Sequence, residues 1–316
     1  MIERWKRAVV NLECAGDAFS PHGDISSHVW ISGSRTRRQS GTALFMKHNG
    51  RRYLLTARHV VADPEGGRLD YQEELSRVEK MEKQMSENPG TPRDVIERIK
   101  SSRLEDARKR IDDKIFNIIF RRQSFDEVID NKNKFQNAEN FIMNPSFDTE
   151  LTDKEIDLAV IYLESSHARF ADRLQELGYS PIPSEDFFDG DLEEGQEIIA
   201  IGFPGNSSTI GTLALDPAVA NWSSSVFSLP VTTFGRVAMW HPLLNRYWAD
   251  VSIYPGNSGG PLVSNNRLVG IVTAQALVNV NDTEGMSVRV PFASIIKPHF
   301  VIPLIEKRVA RDRFWQ

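Results

Sequence analysis

The spacing of apolar residues changes twice along the chain. Before residue 62 they come in short runs, Ala43-Leu44-Phe45-Met46 and Tyr53-Leu54-Leu55-Thr56, separated by His48-Asn49-Gly50. Short runs punctuated by turn formers predict antiparallel strands. From about residue 63 to residue 150 charge is dense, and Tyr71, Leu75, Val78 and Met85 recur at a spacing that places them on one face of a helix. A second helix is predicted to start with Thr91 as its N-cap, Pro92 in the first helical position and Asp94 in the first turn, where the backbone dipole favours an acid. Asn88-Pro89-Gly90 is the predicted turn between the two helices. After residue 187 short apolar runs return, including Ile198-Ile199-Ala200-Ile201, Val231-Thr232-Thr233-Phe234 and Leu268-Val269-Gly270-Ile271-Val272, with Gly and Pro between them. That pattern predicts a second all-β unit. The tail from Ile295 to Lys307-Arg308 mixes apolar and charged residues and predicts a closing helix interrupted near Pro298 and Pro303.

Composition narrows the classes of partner. A chain of 316 residues, 40% hydrophobic and 26% charged, is long enough for one large or two coupled cores. Its net charge of -5 supplies no general attraction for nucleic acid or anionic lipid, so neither is an expected partner. Cys14 is the one cysteine, which rules out an internal disulfide and points to a reducing compartment. The first residues are basic enough for the start of a secretory signal, but the apolar run that follows is broken by Asn11 and Glu13. No stretch reaches the roughly 18 apolar residues that a bilayer span needs. A cytoplasmic location is the expectation.

The strongest chemical signal is Pro255-Gly256-Asn257-Ser258-Gly259-Gly260-Pro261-Leu262-Val263. A serine that attacks a carbonyl needs a tight turn that exposes its hydroxyl and aims backbone N–H groups at the developing oxyanion. Glycines permit such a turn, with Gly256 and Ser258 as the two N–H donors and Gly259 and Gly260 leaving room for substrate backbone. A Gly-rich hairpin with an incidental serine is the bland alternative. A general base must come from elsewhere in the sequence, and of seven histidines His59 has the informative setting, at the end of the apolar run Leu55-Thr56-Ala57-Arg58-His59-Val60-Val61. A buried histidine bonded to a carbonyl is the competing reading. The third group must orient the imidazole and stabilise its cation. Asp157 opens Asp157-Leu158-Ala159-Val160-Ile161-Tyr162-Leu163, whereas Asp153 and Glu155 do not border that run directly. A capping or turn aspartate is the alternative there.

In the order His, Asp, Ser and in these three local strings the chain resembles the trypsin-like superfamily of serine proteases. The similarity runs to His59, resumes from Asn144-Pro145-Ser146-Phe147 through Leu163, and takes in nearly all of the second half. The resemblance implies a mainly β fold of two antiparallel six-stranded barrels with the active site between them. Residues 1–62 and 111–175 would form the first barrel and 176–294 the second, with 63–110 a charged helical insertion and 295–316 a helical tail. It implies that Ile271-Val272-Thr273-Ala274 pairs with substrate backbone as an added strand. It also implies a primary pocket with Ser252 at its floor and walls near Thr273, Ala274 and Gln275, with Glu284 near the far wall. Gly202-Phe203-Pro204-Gly205 looks like a turn of the bacterial members.

Two features depart from that pattern. Asn257 stands where precursors activated by cleavage carry an aspartate that pairs with a newly freed amino terminus, and an amide cannot form that ion pair. No activation-cleavage motif is evident near the amino terminus, and no carboxy-terminal PDZ domain is expected after the second barrel. The helical segment between His59 and Asp157 is longer than usual. The expected function is a serine endopeptidase acting on protein or peptide substrates without cofactor or metal. A proteolytically silent module, docking a partner through the 63–110 insertion, is the alternative from another class, and an esterase of the same fold is a minor third.

Overall fold

The computed structural model describes residues 1–15, 38–87, 92–122, 139–143, 152–153, 156–164, 167–204, 230–279 and 287–314. A short helix α1 (Ile2–Lys6) leads into β1 (Val9–Ala15), β2 (Arg38–His48) and β3 (Arg51–Ala57). β2 and β3 form a hairpin closed by Asn49 and Gly50, at φ 48° and 80°, with His48 opposite Arg51. Two successive positive φ values match the right-handed twist of the strands, which is why Asn-Gly suits this turn.

Helix α2 (Arg58–Val61) follows β3 directly, and the charged segment then forms two helices, α3 (Pro64–Ser86) and α4 (Arg93–Arg110). The Asp63 side chain accepts from Gly66 N at 2.9 Å and caps α3, and Val78 is buried. Ion pairs Lys100–Glu82 and Arg103–Glu74 join the two helices on their wet sides. The start of α4 corrects the sequence reading by one residue. Pro92 holds φ at -64° but ψ at 140°, so it is the extended N-cap and the helix begins at Arg93. Thr91 and the turn at 88–90 lie outside the described residues.

The first sheet continues with β4 (Asn117–Arg122), β5 (Glu139–Met143), β6 (Thr152–Asp153), β7 (Leu158–Tyr162) and, after helix α5 (Ala168–Glu176), β8 (Ile182–Pro183). Its order is β5-β4-β1-β2-β3-β7-β6, with β8 parallel to β2. Of the two closed barrels that the resemblance implies, the second is found as one, and among the described residues the first sheet is not closed. Its residues Leu12, Phe45, Leu54 and Ile161 are buried by Val60 and Val61 of α2 and by Phe170, Ala171 and Leu174 of α5.

The second unit is the closed barrel β10-β11-β14-β13-β12-β9. Its strands are β9 (Glu197–Gly202), β10 (Val231–Met239), β11 (Arg246–Val251), β12 (Pro261–Ser264), β13 (Arg267–Asn279) and β14 (Ser287–Ile296). The chain is therefore mainly β. A continuous core joins the two units: Leu44, Tyr53, Leu55, Leu158 and Val160 of the first sheet pack with Val263, Leu268, Ile271 and Ile296 of the barrel. Helix α6 (Val301–Phe314) closes over the same core through Val301, Leu304 and Ile305. The expected interruption at Pro303 does not occur. Pro303 sits in the first turn of α6, where a backbone N–H has no intrahelical acceptor and its loss costs nothing, while Pro298 opens a separate 3₁₀ turn, Pro298–Phe300. No helix among the described residues is long and apolar enough to cross a membrane.

Candidate active site

β3 delivers the chain to Ala57, and the backbone then turns into α2, so His59 lies one residue into a helix and not at the strand end itself. Asp157 stands just before β7 with φ at 63°, a left-handed conformation that is uncommon for an aspartate. That geometry turns its carboxylate onto α2. Oδ2 lies 2.8 Å from His59 Nδ1, and Oδ1 accepts the His59 backbone N–H at 2.9 Å. The Asp157 carbonyl in turn accepts Arg58 N–H at 3.0 Å. A carboxylate bonded to both the ring and the backbone of one histidine fixes the ring plane and sets the proton on Nδ1, leaving Nε2 as the basic nitrogen. His59 keeps 40% of its side chain exposed and Asp157 19%, so the ring is open to an incoming group. Of the competing acids, Glu155 lies outside the described residues.

Ser258 lies between β11 and β12, after the turn Tyr254-Pro255-Gly256-Asn257. Asn257 N–H donates to Tyr254 O at 3.0 Å, and Gly256 has φ 102°. Proline second and a left-handed glycine third are the chemistry of a type II turn. Among the described residues the Gly256 and Ser258 N–H groups donate to nothing, while the intervening Asn257 N–H is used within the turn. The Ser258 hydroxyl donates to Thr273 O at 2.9 Å, not to His59.

Two residues that sequence reasoning missed hold this arrangement. Thr42, fully buried on β2, donates its N–H to Ser258 O and its hydroxyl to Gly256 O, both at 2.8 Å. It thereby clamps both ends of the serine turn to the first sheet. Arg246 on β11 donates to Ile156 O at 3.2 Å and to Thr273 Oγ1 at 3.5 Å. It bridges the residue before Asp157 and the residue that holds the serine hydroxyl. A threonine in a strand and an arginine in a strand carry no local signal of such roles.

The expected pocket residues are distributed unevenly. Thr273 reaches Ser258 through its carbonyl, but its side chain is buried and donates to Ser294 O at 3.0 Å. Ala274 is exposed on β13, and Gln275 donates to Val290 O at 3.2 Å, with Oε1 buried and without a partner among the described residues. Ser252 is exposed and makes no hydrogen bond to any of these among the described residues. Glu284, Gly205 and residues 144–147 lie outside them. Asn257 is 2% exposed, and its Oδ1 has no partner among the described residues.

Residues 41–271 match the model of the trypsin-like peptidase domain. The chain belongs to the trypsin-like peptidase family. Serine protease PepD of Mycobacterium tuberculosis H37Rv is 33% identical to this peptidase over 124 residues, 39% of the chain. That match spans 24% of PepD's length, about a quarter of the relative. Two crystal structures of the Rv3671c protease also align with this trypsin-like peptidase. The inactive form gives TM-score 0.42 at 11% identity, covering 97% of this chain and 91% of that one. A serine-to-alanine mutant from M. tuberculosis H37Rv gives TM-score 0.42 and 11% identity, with 98% and 90% covered.

Proposed function

We propose that this trypsin-like peptidase is a serine endopeptidase with His59, Asp157 and Ser258 as its triad. The observation that carries the reading is the doubly bonded His59–Asp157 pair, which leaves a basic Nε2 in a chain whose Gly-Asn-Ser-Gly-Gly string is built around a type II turn. The reaction starts with rotation of the Ser258 hydroxyl from Thr273 O toward His59. Ser258 Oγ then attacks the scissile carbonyl while His59 Nε2 takes its proton. Asp157 stabilises the imidazolium, and the Gly256 and Ser258 N–H groups receive the oxyanion. His59 returns the proton to the leaving amine, and water repeats the sequence on the acyl-enzyme. No step calls on a metal or cofactor. The substrate is a protein or peptide whose backbone pairs with β13 near Thr273 and Ala274.

The silent-module reading draws on one observation, the serine hydroxyl held by Thr273 O. Treatment with a fluorophosphonate, read by mass spectrometry, separates the two. Adduct on Ser258 supports the endopeptidase, and absence of adduct on the folded chain leaves a partner-dependent enzyme or the silent module.

Specificity in this reading follows from Ser252, which the family resemblance puts at the floor of the primary pocket. It carries no charge, so a Lys or Arg side chain reaching it would find no counter-ion there. A peptide-library profile is expected to favour uncharged residues before the scissile bond, and dominance of Lys or Arg would overturn this assignment. The buried thiol of Cys14 fits the reducing cytoplasm as the working compartment. The hairpin of α3 and α4 is the proposed surface for a regulatory protein. With residues 70–108 replaced by a Gly/Ser linker, cleavage rate and pull-down partners should both change, and if neither does the hairpin is decoration.

A further inference from the structure

We propose that the root of the α3–α4 hairpin is part of the support for His59, and that Arg58 is the positioning residue joining the two. This rests on the endopeptidase reading above and adds how the insertion reaches the site.

The helix that carries His59 has four residues and no side-chain N-cap. A single turn has no stability of its own, so its orientation is set by its neighbours. On one flank these are the Asp157 groups: Arg58 N–H to Asp157 O at 3.0 Å and His59 N–H to Asp157 Oδ1 at 2.9 Å. On the other flank they belong to the segment that leaves the hairpin. Phe116 N–H donates to Val61 O at 2.9 Å, Asp63 N–H donates to Lys114 O at 2.8 Å, and Ala62 bridges Ile115. The Arg58 side chain adds a third link, from Nη2 to the carbonyl of Asp112 in the exit turn Ile111–Asp113. Residue 58 is thus held by its backbone to Asp157 and by its guanidinium to the hairpin, immediately before the histidine.

The root itself is stiff. A Cβ on Gly67 would come within 2.1 Å of Ile111 O, so α3 and the exit turn touch backbone to backbone. Asp63 O accepts Gly67 N–H at 3.0 Å, and Lys114 Nζ lies 2.6 Å from Asp70 Oδ2. A displacement of the hairpin therefore moves the exit turn as a body, and Arg58 carries that displacement to the peptide from which His59 hangs. The partly exposed position of Arg58 gives a partner on the hairpin access to this link.

The experiment compares the intact chain with Arg58→Ala and Arg58→Lys, and repeats Arg58→Ala with residues 64–112, the root with its Asp112 carbonyl included, replaced by a Gly/Ser linker. Misplacing a catalytic group by about 1 Å costs up to roughly 100-fold in rate, so Arg58→Ala should lower kcat by about 10- to 100-fold with KM little changed. Arg58→Lys, which keeps one donor for the Asp112 carbonyl, should recover part of it. In the linker background Arg58→Ala should cost far less, because the group it acts through is released, and such non-additivity is the mark of coupling. The low-field resonance of the His59 Nδ1 proton, assigned by its loss in His59→Ala, should broaden in Arg58→Ala. This readout needs no turnover, so it still decides the proposal if the chain proves inactive. Should the linker variant fail to fold, Gly67→Ala takes its place, since it forces the root apart and should reproduce the loss. An equal effect of Arg58→Ala in both backgrounds, or wild-type kinetics with an unaltered proton resonance, would overturn the proposal.

Discussion

Ser258→Ala is expected to lower kcat by roughly 10⁴- to 10⁶-fold, with KM and thermal stability close to wild type. Among the described residues the hydroxyl makes one hydrogen bond, to Thr273 O, and Ser258 is only partly buried, so its removal leaves the turn and the two N–H donors in place. What is lost is the nucleophile. His59→Ala should produce a loss of similar size, and the double variant should be little worse than either alone, because the two groups act on one proton and one bond. Steady-state kinetics on a peptide ester or amide, with unfolding curves for each variant, check this. Chelator-sensitive cleavage that survives Ser258→Ala would mean that the chemistry lies elsewhere.

The second large effect is on stability. Gly259→Ala is expected to destabilise the fold by about 3–6 kcal/mol. This estimate combines roughly 1–2 for a left-handed alanine, 1–3 for overpacking and about 1 for a buried hydrogen bond. Gly259 has φ 87°, and a Cβ there would stand 2.0 Å from Thr42 O and 2.2 Å from Thr56 Oγ1. Those atoms form a buried hydrogen bond, Thr56 Oγ1 to Thr42 O at 2.7 Å, and Thr42 in turn clamps the serine turn. The methyl group cannot be accommodated without parting the turn from β2, so loss of activity should accompany loss of stability. Gly50→Ala is the control. It has φ 80° but nothing within 4 Å, so only the left-handed backbone cost applies, about 1–2 kcal/mol. Denaturant midpoints that fail to separate the two variants would refute this account of Gly259.

Features of the chain that depend on neighbours in sequence were readable from the sequence. The Pro-Gly pair before Asn257 encodes its own turn, because proline presets one φ and glycine permits the next. The hairpin at Asn49-Gly50 and the apolar period of α3 around Val78 are of the same kind. Each requires only a few adjacent residues to agree. His59 and Asp157 were legible as candidates by their positions beside apolar runs, although their bond spans 98 residues of chain.

Tertiary structure decided the rest, and the reason is common to every case. A strand's pattern says which face is apolar but not which carbonyl a polar atom on that strand will meet. Thr42 finds Gly256 O across 214 residues, and Arg246 finds Ile156 O across 90. Thr42 and Arg246 look ordinary until the two sheets come together. The cover over the first sheet has the same origin. Local runs mark its strands, but the burial of Leu12, Phe45, Leu54 and Ile161 against α2 and α5 depends on packing that no local run contains. Pro303 was read as a break because proline removes a donor. Only the start of α6 at Val301 puts that donor where none is needed. Local strings specify conformation through bonds within a few residues, whereas the partner of a buried polar group is chosen by the assembled fold.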